Sequence, residues 1–404
     1  MENHGNLSKA NAAAIGFCLL PSELIQNILL YLALPEIMHV KSLNKSIADI
    51  VSCRDFVREY NSQSSSRTWL FVYKKRWHRD AILHGFTDQS NRWFSIQIAS
   101  FFKLLICPGE NIYFLTASGN FFLFVCNTRR EVIAVNFVTK TVKRIPSSPL
   151  GPRGTSSWRR SGMKLVSGPD HFRFLFAELV DGHPVLFVYS SETDRWQSVE
   201  AREEGLDVYP RGNQVAADHI FLNVVNGPHE SMVIAVDLDG DDAPIILRPR
   251  FYHGQNGRQP QSTVVGFSLE NIFDRMYVYG DGQVLIIKSK GGHHDDVDAG
   301  VRTVNGIELW GLGLDGRHWV YLSKVPCEIV DQIKKPYRVM RGCLQRRNGI
   351  IRVCLLSNFE GSWDIIWLSY DIKRSHWTWV PLPEYKTTGL NMAGIAFSSG
   401  LTLS

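Results

Sequence analysis

No Cys-x-x-Cys pair occurs in this sequence, and the cysteines are odd in number: Cys18, Cys53, Cys107, Cys126, Cys327, Cys343 and Cys354. That spacing argues against a zinc site or a framework of paired disulfides and fits reduced thiols of the nucleus or cytoplasm. Charge of one sign is also scarce. Against 44 Lys and Arg stand 39 Asp and Glu, a net +5, too mild to mark a nucleic-acid binder. The most apolar N-terminal stretch, Phe17 to Leu34, is broken by Pro21, Ser22, Glu23, Gln26 and Asn27, so no membrane-spanning helix is expected. The opening Met1–Asn6 is polar and lacks a basic n-region, so no secretory signal is expected either. There is no Gly-x-x-x-x-Gly-Lys-Ser/Thr phosphate loop and no Gly-x-Ser-x-Gly nucleophile elbow.

What is abundant is aromatic: 11 Trp, 13 Tyr and 22 Phe, alongside 32 Gly, which favours strands punctuated by turns. The 404 residues allow two or three domains, or one large domain and a small one. Residues 1–17 read as a disordered tail. Residues 18–60 are helical in pattern. Leu24, Ile25, Ile28, Leu29 and Leu32 form an amphipathic stripe, with Ser22 as N-cap and Glu23 at the positive end of the dipole. Pro35 suits the first turn of a second helix, and a third is expected from about Leu43 to Val51. A three-helix unit of about 40 residues is marginal alone and calls for a partner or a neighbouring domain. Residues 61–67 read as a polar linker.

From Thr68 onward the helical period disappears. Short apolar runs of strand length alternate with turns: Trp69–Tyr73, Ile112–Thr116, Phe121–Val125, Phe172–Phe176, Val185–Tyr189, Ile220–Val225, Val233–Val236, Met276–Tyr279, Val284–Ile287, Ile351–Leu356 and Ile365–Tyr370. One unit repeats among them, an aromatic or apolar residue followed seven positions later by another across a polar turn. Its copies are Phe86 to Trp93, Tyr189 to Trp196, Leu312 to Trp319 and Tyr370 to Trp377, with a weaker one from Val135 to Val142 and a sixth within Val233–Leu247. The markers 93, 142, 196, about 246, 319 and 377 lie 49 to 58 residues apart, except for one step of about 73 that contains the polar insert Lys288–Asp296. A period near 50 with a hairpin and a Trp is the pattern of a kelch-like β-propeller over 68–404, of six blades or alternatively seven. Met392–Phe397 is placed to close the ring beside Trp69–Tyr73. The recurring Trp residues read as core.

The segment Leu20-Pro21-Ser22-Glu23-Leu24-Ile25, followed by Ile28-Leu29, Leu32, Pro35-Glu36-Ile37 and Leu43-Asn44-Lys45-Ser46-Ile47, resembles an F-box. The pattern is Leu-Pro-x-Glu-Leu, a Leu-Pro turn, then Val-Cys-Lys-x-Trp; Asn44 stands where the family has Cys and Ile47 where it has Trp. With a propeller after it, the chain is similar to plant F-box proteins with kelch or F-box-associated repeats. The resemblance implies a non-catalytic substrate-recognition subunit of an SCF-type cullin–RING ubiquitin ligase. Leu20, Pro21, Ile25, Ile28, Leu29, Pro35 and Leu43 would meet a Skp adaptor, and the ring would hold a target protein. No cofactor, metal, nucleic acid or membrane is implied. The alternative is a scaffold that uses the same two surfaces without a ligase.

Other chemistry is thin. A copper oxidase similar to galactose oxidase needs a converging Tyr, His and Cys set that is not recognisable here. His293-His294-Asp295-Asp296 reads as a solvated loop rather than a metal site, and Asp237–Asp242 as an acidic turn that lacks the distal Glu of a calcium loop. Basic pairs at Arg129-Arg130, Lys334-Lys335 and Arg346-Arg347 would form an anion-binding face only if they share one side of the ring. Arg153, Trp158, Arg159 and Arg160 on one long loop are the best candidates for target binding, because Arg and Trp are enriched at hot spots.

Overall fold

A computed structural model describes residues 20–64, 67–75, 81–87, 90, 92–103, 106–107, 110–203, 219–226, 230–238, 242–251, 275–280, 283–293, 302–313, 316–337, 339–380, 382, 387–388 and 391–403. Four helices come first: α1 (Ser22–Leu30), α2 (Leu34–Lys41), α3 (Lys45–Ser52) and α4 (Arg54–Ser64). Ser22 lies inside α1 rather than capping it. Pro21 holds the cap position and its carbonyl accepts the amides of Leu24 and Ile25. In α2 the Glu36 carboxylate accepts the Ala33 amide at 2.8 Å, and Pro35 fits the first turn as expected. The third helix starts at Lys45 rather than Leu43, because Asn44 caps it by accepting the Ser46 amide at 2.8 Å. The polar run expected as a linker is, over Asn61–Ser64, the last turn of α4. Its Phe56, Tyr60 and Ser64 are buried at helical spacing, which the polar composition concealed.

Six sheets follow. The first blade joins Asn391–Ser399, Thr68–Lys75, Ile82–Thr87 and Arg92–Gln97, in that lateral order. The second joins Ile112–Ser118, Phe121–Cys126, Glu131–Asn136 and Thr141–Ile145; the third, Gly162–Ser167, Phe172–Val180, His183–Ser190 and Arg195–Glu200. In the fourth, His219–Asn226, Glu230–Asp237 and Ile245–Leu247 are joined by Arg202–Glu203, which pairs in parallel at the outer edge. The fifth contains Arg275–Gly280, Gln283–His293, Arg302–Leu312 and His318–Lys324, with Arg250–Phe251 parallel outside. The sixth contains Val339–Arg347, Ile350–Phe359, Ser362–Asp371 and His376–Val380. First strands of successive blades pack on one another around the ring, and Val339–Arg347 meets Asn391–Ser399. The ring therefore closes with six blades. The C-terminal strand joins the first blade, Leu70 opposite Phe397, so no blade consists of one contiguous segment at the closure.

The seven-residue spacing is the register of one hairpin. Phe86 faces Trp93, Val135 faces Val142, Tyr189 faces Trp196, Leu312 faces Trp319 and Tyr370 faces Trp377, each pair joining the third and fourth strands of its blade. The rings of Phe86–Trp93, Tyr189–Trp196 and Tyr370–Trp377 lie 4.9–5.4 Å apart, so each pair packs across the hairpin. The polar residue after the first member of the pair shapes the turn: Asn136, Ser190 and Asp371 accept amides of the turn through their side chains. Lys140, Asp194 and Ser375, two positions before the marker, take left-handed backbone at φ 56°, 57° and 51°. The sixth copy differs. Val233 faces Leu247 across the second and third strands of the fourth blade, one hairpin earlier than in the others. The insert also differs from expectation, because Lys288–His293 continues a strand, paired through His293 with Arg302. His294–Asp296 lie outside the described residues.

Candidate interaction surface

Successive residues of a helix are separated by about 100°, so the apolar stripe of α1 is two lines. Ile25 and Leu29, with Leu30, point into a core shared with Ile37, Ile47, Val51, Phe56 and Tyr60. Leu24, Ile28 and Tyr31, spaced i, i+4, i+7, point to solvent and are 49%, 43% and 86% exposed. Leu20, just before the Pro21 cap of α1, is at the surface, as is Leu43 at 66% exposure just before α3. Of the residues expected to face an adaptor, Leu20, Pro21, Ile28 and Leu43 are exposed and Pro35 is half-buried. Ile25 and Leu29 are corrected to core: Leu29 is 1% exposed and has no surface to offer. Leu24 and Tyr31 were missed as surface residues, although they continue the Ile28 line by the same spacing. Large apolar side chains concentrated on one small unit mark an interaction surface more than a solvated face.

The other side of the helical unit is seated on the ring. Arg67 donates to the carbonyls of Leu30 and Leu32, both at 3.0 Å, capping the end of α1 while its guanidinium lies over the Tyr60 ring. Glu36 pairs with Arg92 of the first blade. Asn61 and Ser64 of α4 bind the backbone of Leu403 and Leu401, and Asn120 of the second blade binds Thr402. Residues 400–403 thus lie between helices and ring. Phe137 and Val138 pack against the same apolar cluster. Asn120, Phe137 and Val138 belong to turns joining first to second or third to fourth strands, and Arg92 opens the fourth strand directly after such a turn; these turns emerge on one face of the ring. The helices occupy that face beside the first two blades.

The long loop before the third blade is not a binding loop at Arg153 or Trp158. Residues Thr155–Arg160 form a short helix, and both side chains are buried beneath it. The Arg153 guanidinium stands 4.7 Å from the Trp158 ring centre and 4.9 Å from that of Phe176. It donates to Ser157 Oγ at 2.9 Å and Ser161 Oγ at 2.8 Å and pairs with Glu178. Stacked and charge-paired, Arg153 fills the core where an exposed hot spot was expected. Arg159 and Arg160 end the helix, and their side chains lie outside the described residues. The basic pairs do not share one side. Arg129-Arg130 lies in the turn between second and third strands, opposite the helical unit, with Arg129 Nε donating to Glu110 at 2.9 Å. Arg346-Arg347 leads into a turn between first and second strands, on the helical side. Among the described residues no group of three or more His, Cys, Asp or Glu is placed to hold a metal. Residues 239–241 of the acidic turn lie outside the described set.

No family model matches the chain. Among solved structures it is similar to TolB from Acinetobacter baumannii, at 9% identity and a TM-score of 0.42 over 85% of this chain and 70% of that one. It is also similar to a chain of a nidogen/laminin complex, at 10% identity and a TM-score of 0.39 over 84% of this chain and all of that one. The six-blade count rests on the strand pairing described above rather than on these likenesses. Among curated proteins the chain is 23% identical over 330 residues to an F-box/kelch-repeat protein of Arabidopsis thaliana, covering 76% of this chain and 72% of that protein.

Proposed function

We propose that this chain is the substrate-recognition subunit of an SCF-type cullin–RING ubiquitin ligase, acting in the nucleus or cytoplasm. The observation that carries the reading is the exposed apolar line Leu20, Leu24, Ile28 and Tyr31, with Leu43, on a helical unit whose opposite side is already seated on the ring. Such a line is the face a partner helix would cover. The Leu-Pro-x-Glu-Leu segment that carries it, and the similarity to an F-box/kelch-repeat protein, support a Skp adaptor as that partner. Asn44 and Ile47 are compatible with it: the first caps α3 and the second is buried, so the departures from the family pattern preserve the helix.

The function requires no bond chemistry from this chain. One surface holds the ligase and another holds a target, and the joint complex raises the effective concentration of target lysines near the charged ubiquitin. The helices occupy the face beside the first two blades, leaving the opposite face, with the turns between second and third strands, for the target.

Co-purification tests the reading. Wild-type chain co-expressed with a Skp adaptor should elute with it, and Ile28→Asp should elute alone with an unchanged circular dichroism spectrum. A wild-type chain that ignores the adaptor where a known F-box protein binds would end this proposal. Ubiquitination of a captured partner in a reconstituted ligase separates it from a scaffold.

A further inference from the structure

Cys343 and Cys354 are direct cross-strand partners in the first two strands of the sixth blade. Cys354 is fully buried among Leu70, Val72, Phe86, Trp367 and Phe397, the apolar cluster that joins the sixth blade to the first. Cys343 packs against that cluster but keeps partial access to solvent. Directly opposed residues of an antiparallel pair have Cα atoms about 4.5–5.5 Å apart, inside the range of about 4.4–6.8 Å that a disulfide spans. Burial first, and then the neighbouring Cys343 thiol, pushes the Cys354 thiol well above the ordinary cysteine range. Both are free thiols here.

We infer that Cys343 and Cys354 form a reversible dithiol site that takes a small-molecule disulfide, of the glutathione type, as its oxidant. Cys343, the accessible member, is the attacking sulfur. Its thiolate displaces one thiol of the oxidant and forms a mixed disulfide. The Cys354 sulfur, inert to bulk reagents because it is buried and protonated, then gives up its proton to the released thiolate and attacks Cys343 Sγ, expelling the second thiol. Two protein S–H bonds are replaced by one S–S bond, and the oxidant leaves as two reduced thiols that carry both protons and both electrons. The second step is intramolecular, between residues that the strand register already sets opposite one another. The bond would tie the innermost strand of the sixth blade to its neighbour at the seam where the ring closes.

The remaining cysteines provide the internal control. Cys53, Cys107 and Cys327 are exposed and have no cross-strand cysteine partner. The folded full-length chain is incubated with oxidised glutathione, quenched with acid, alkylated in denaturant and cut with trypsin. The expected product is Gly342–Arg346 disulfide-linked to Val353–Lys373, lost on adding dithiothreitol. Cys354→Ser should stop at glutathione on Cys343, and Cys343→Ser should leave Cys354 unmodified. Two results would overturn the proposal: stable glutathione on Cys343 of the wild-type chain, or no change at Cys343 while Cys53, Cys107 or Cys327 becomes modified. Intact tryptophan fluorescence throughout confirms that the reaction belongs to the folded ring.

Discussion

The side-chain amide of Asn61 reads the backbone of Leu403 in both directions: its Oδ1 accepts the Leu403 amide at 2.7 Å, and its Nδ2 donates to the Leu403 carbonyl at 2.9 Å. Asn120 does the same to Thr402 from the ring side, at 2.9 and 2.8 Å. Two asparagines therefore treat residues 402–403 as a strand treats its neighbour, one from α4 and one from the second blade. The segment ties the helical unit to the ring.

Replacing Asn61 by Leu keeps the volume and removes both bonds, leaving a backbone amide and carbonyl without partners. The expected loss is about 1–3 kcal/mol of stability, read by thermal denaturation. Amide exchange should quicken in 22–64 more than in the blades. Uniform exchange across the chain would show that the segment does not tie the two parts together.

Ile28 and Leu29 are neighbours in sequence with opposite fates. Leu29→Ala, which opens a cavity in the helical core, should cost about 2–5 kcal/mol. Ile28→Ala, at a surface position, should stay within about 0.5 kcal/mol. Equal losses in a urea titration would mean that the two lines of α1 have been assigned wrongly.

Trp158→Ala should cost about 3–5 kcal/mol, because it empties the space against Phe174 and Phe176 and removes the ring under Arg153. An exposed binding Trp would leave the melting temperature unchanged. Differential scanning calorimetry of the single variant distinguishes the two.

A Cβ on Gly394 would collide with the carbonyl oxygen of Phe114, where the first strands of the first and second blades touch, and its φ of +156° disfavours an L side chain. Gly394→Ala should therefore destabilise the ring by at least about 1–3 kcal/mol, seen as a lower urea midpoint. An unchanged midpoint would show that the two strands separate freely.

Burial pushes the Tyr60 phenol up to about 12, opposed in part by Arg67 and Ser64, from an ordinary value of 10.0. The folded form thus holds its proton more tightly than the unfolded chain. That contribution is complete below pH 10 and is lost as pH rises from 10 to 12, at up to about 1.4 kcal/mol per pH unit. Burial also raises the Tyr73 and Tyr189 phenols, the latter helped by Asp194, so the alkaline slope is shared. Tyr60→Phe should flatten it by about one proton across that window. An unchanged slope would mean that Tyr60 is already ionised or solvated in the folded chain.

Much of the ring was legible in the sequence. The spacing from Tyr189 to Trp196 or Tyr370 to Trp377 is a hairpin register, set by a local turn and by packing across two adjacent strands, so it survives in one dimension. The closing strand Met392–Phe397 was legible too, because a ring of such blades needs a partner for Trp69–Tyr73. The fourth blade was misread by one hairpin, since its Val233–Leu247 pairing has the residues of the repeat without its spacing. The helix through Ser64 was hidden because Phe56 and Tyr60 are its only large apolar anchors in a polar run.

Local chemistry in the sequence by itself determined that strands and helices form, where turns fall, and that α1 carries an apolar stripe. It could not decide which half of that stripe meets water. That choice depends on the later helices, whose Ile37, Ile47, Val51, Phe56 and Tyr60 share a buried cluster with Ile25 and Leu29 while Leu24 and Ile28 stay exposed. The same holds for Arg153 and Trp158: composition marks them as hot-spot residues, and only the packing of Phe176 and Glu178 against them makes them core. Cys343 and Cys354, eleven residues apart across a strand pair, become a dithiol because the register sets them face to face. Periodicity is a property of one chain segment, whereas burial belongs to whatever the fold brings against it.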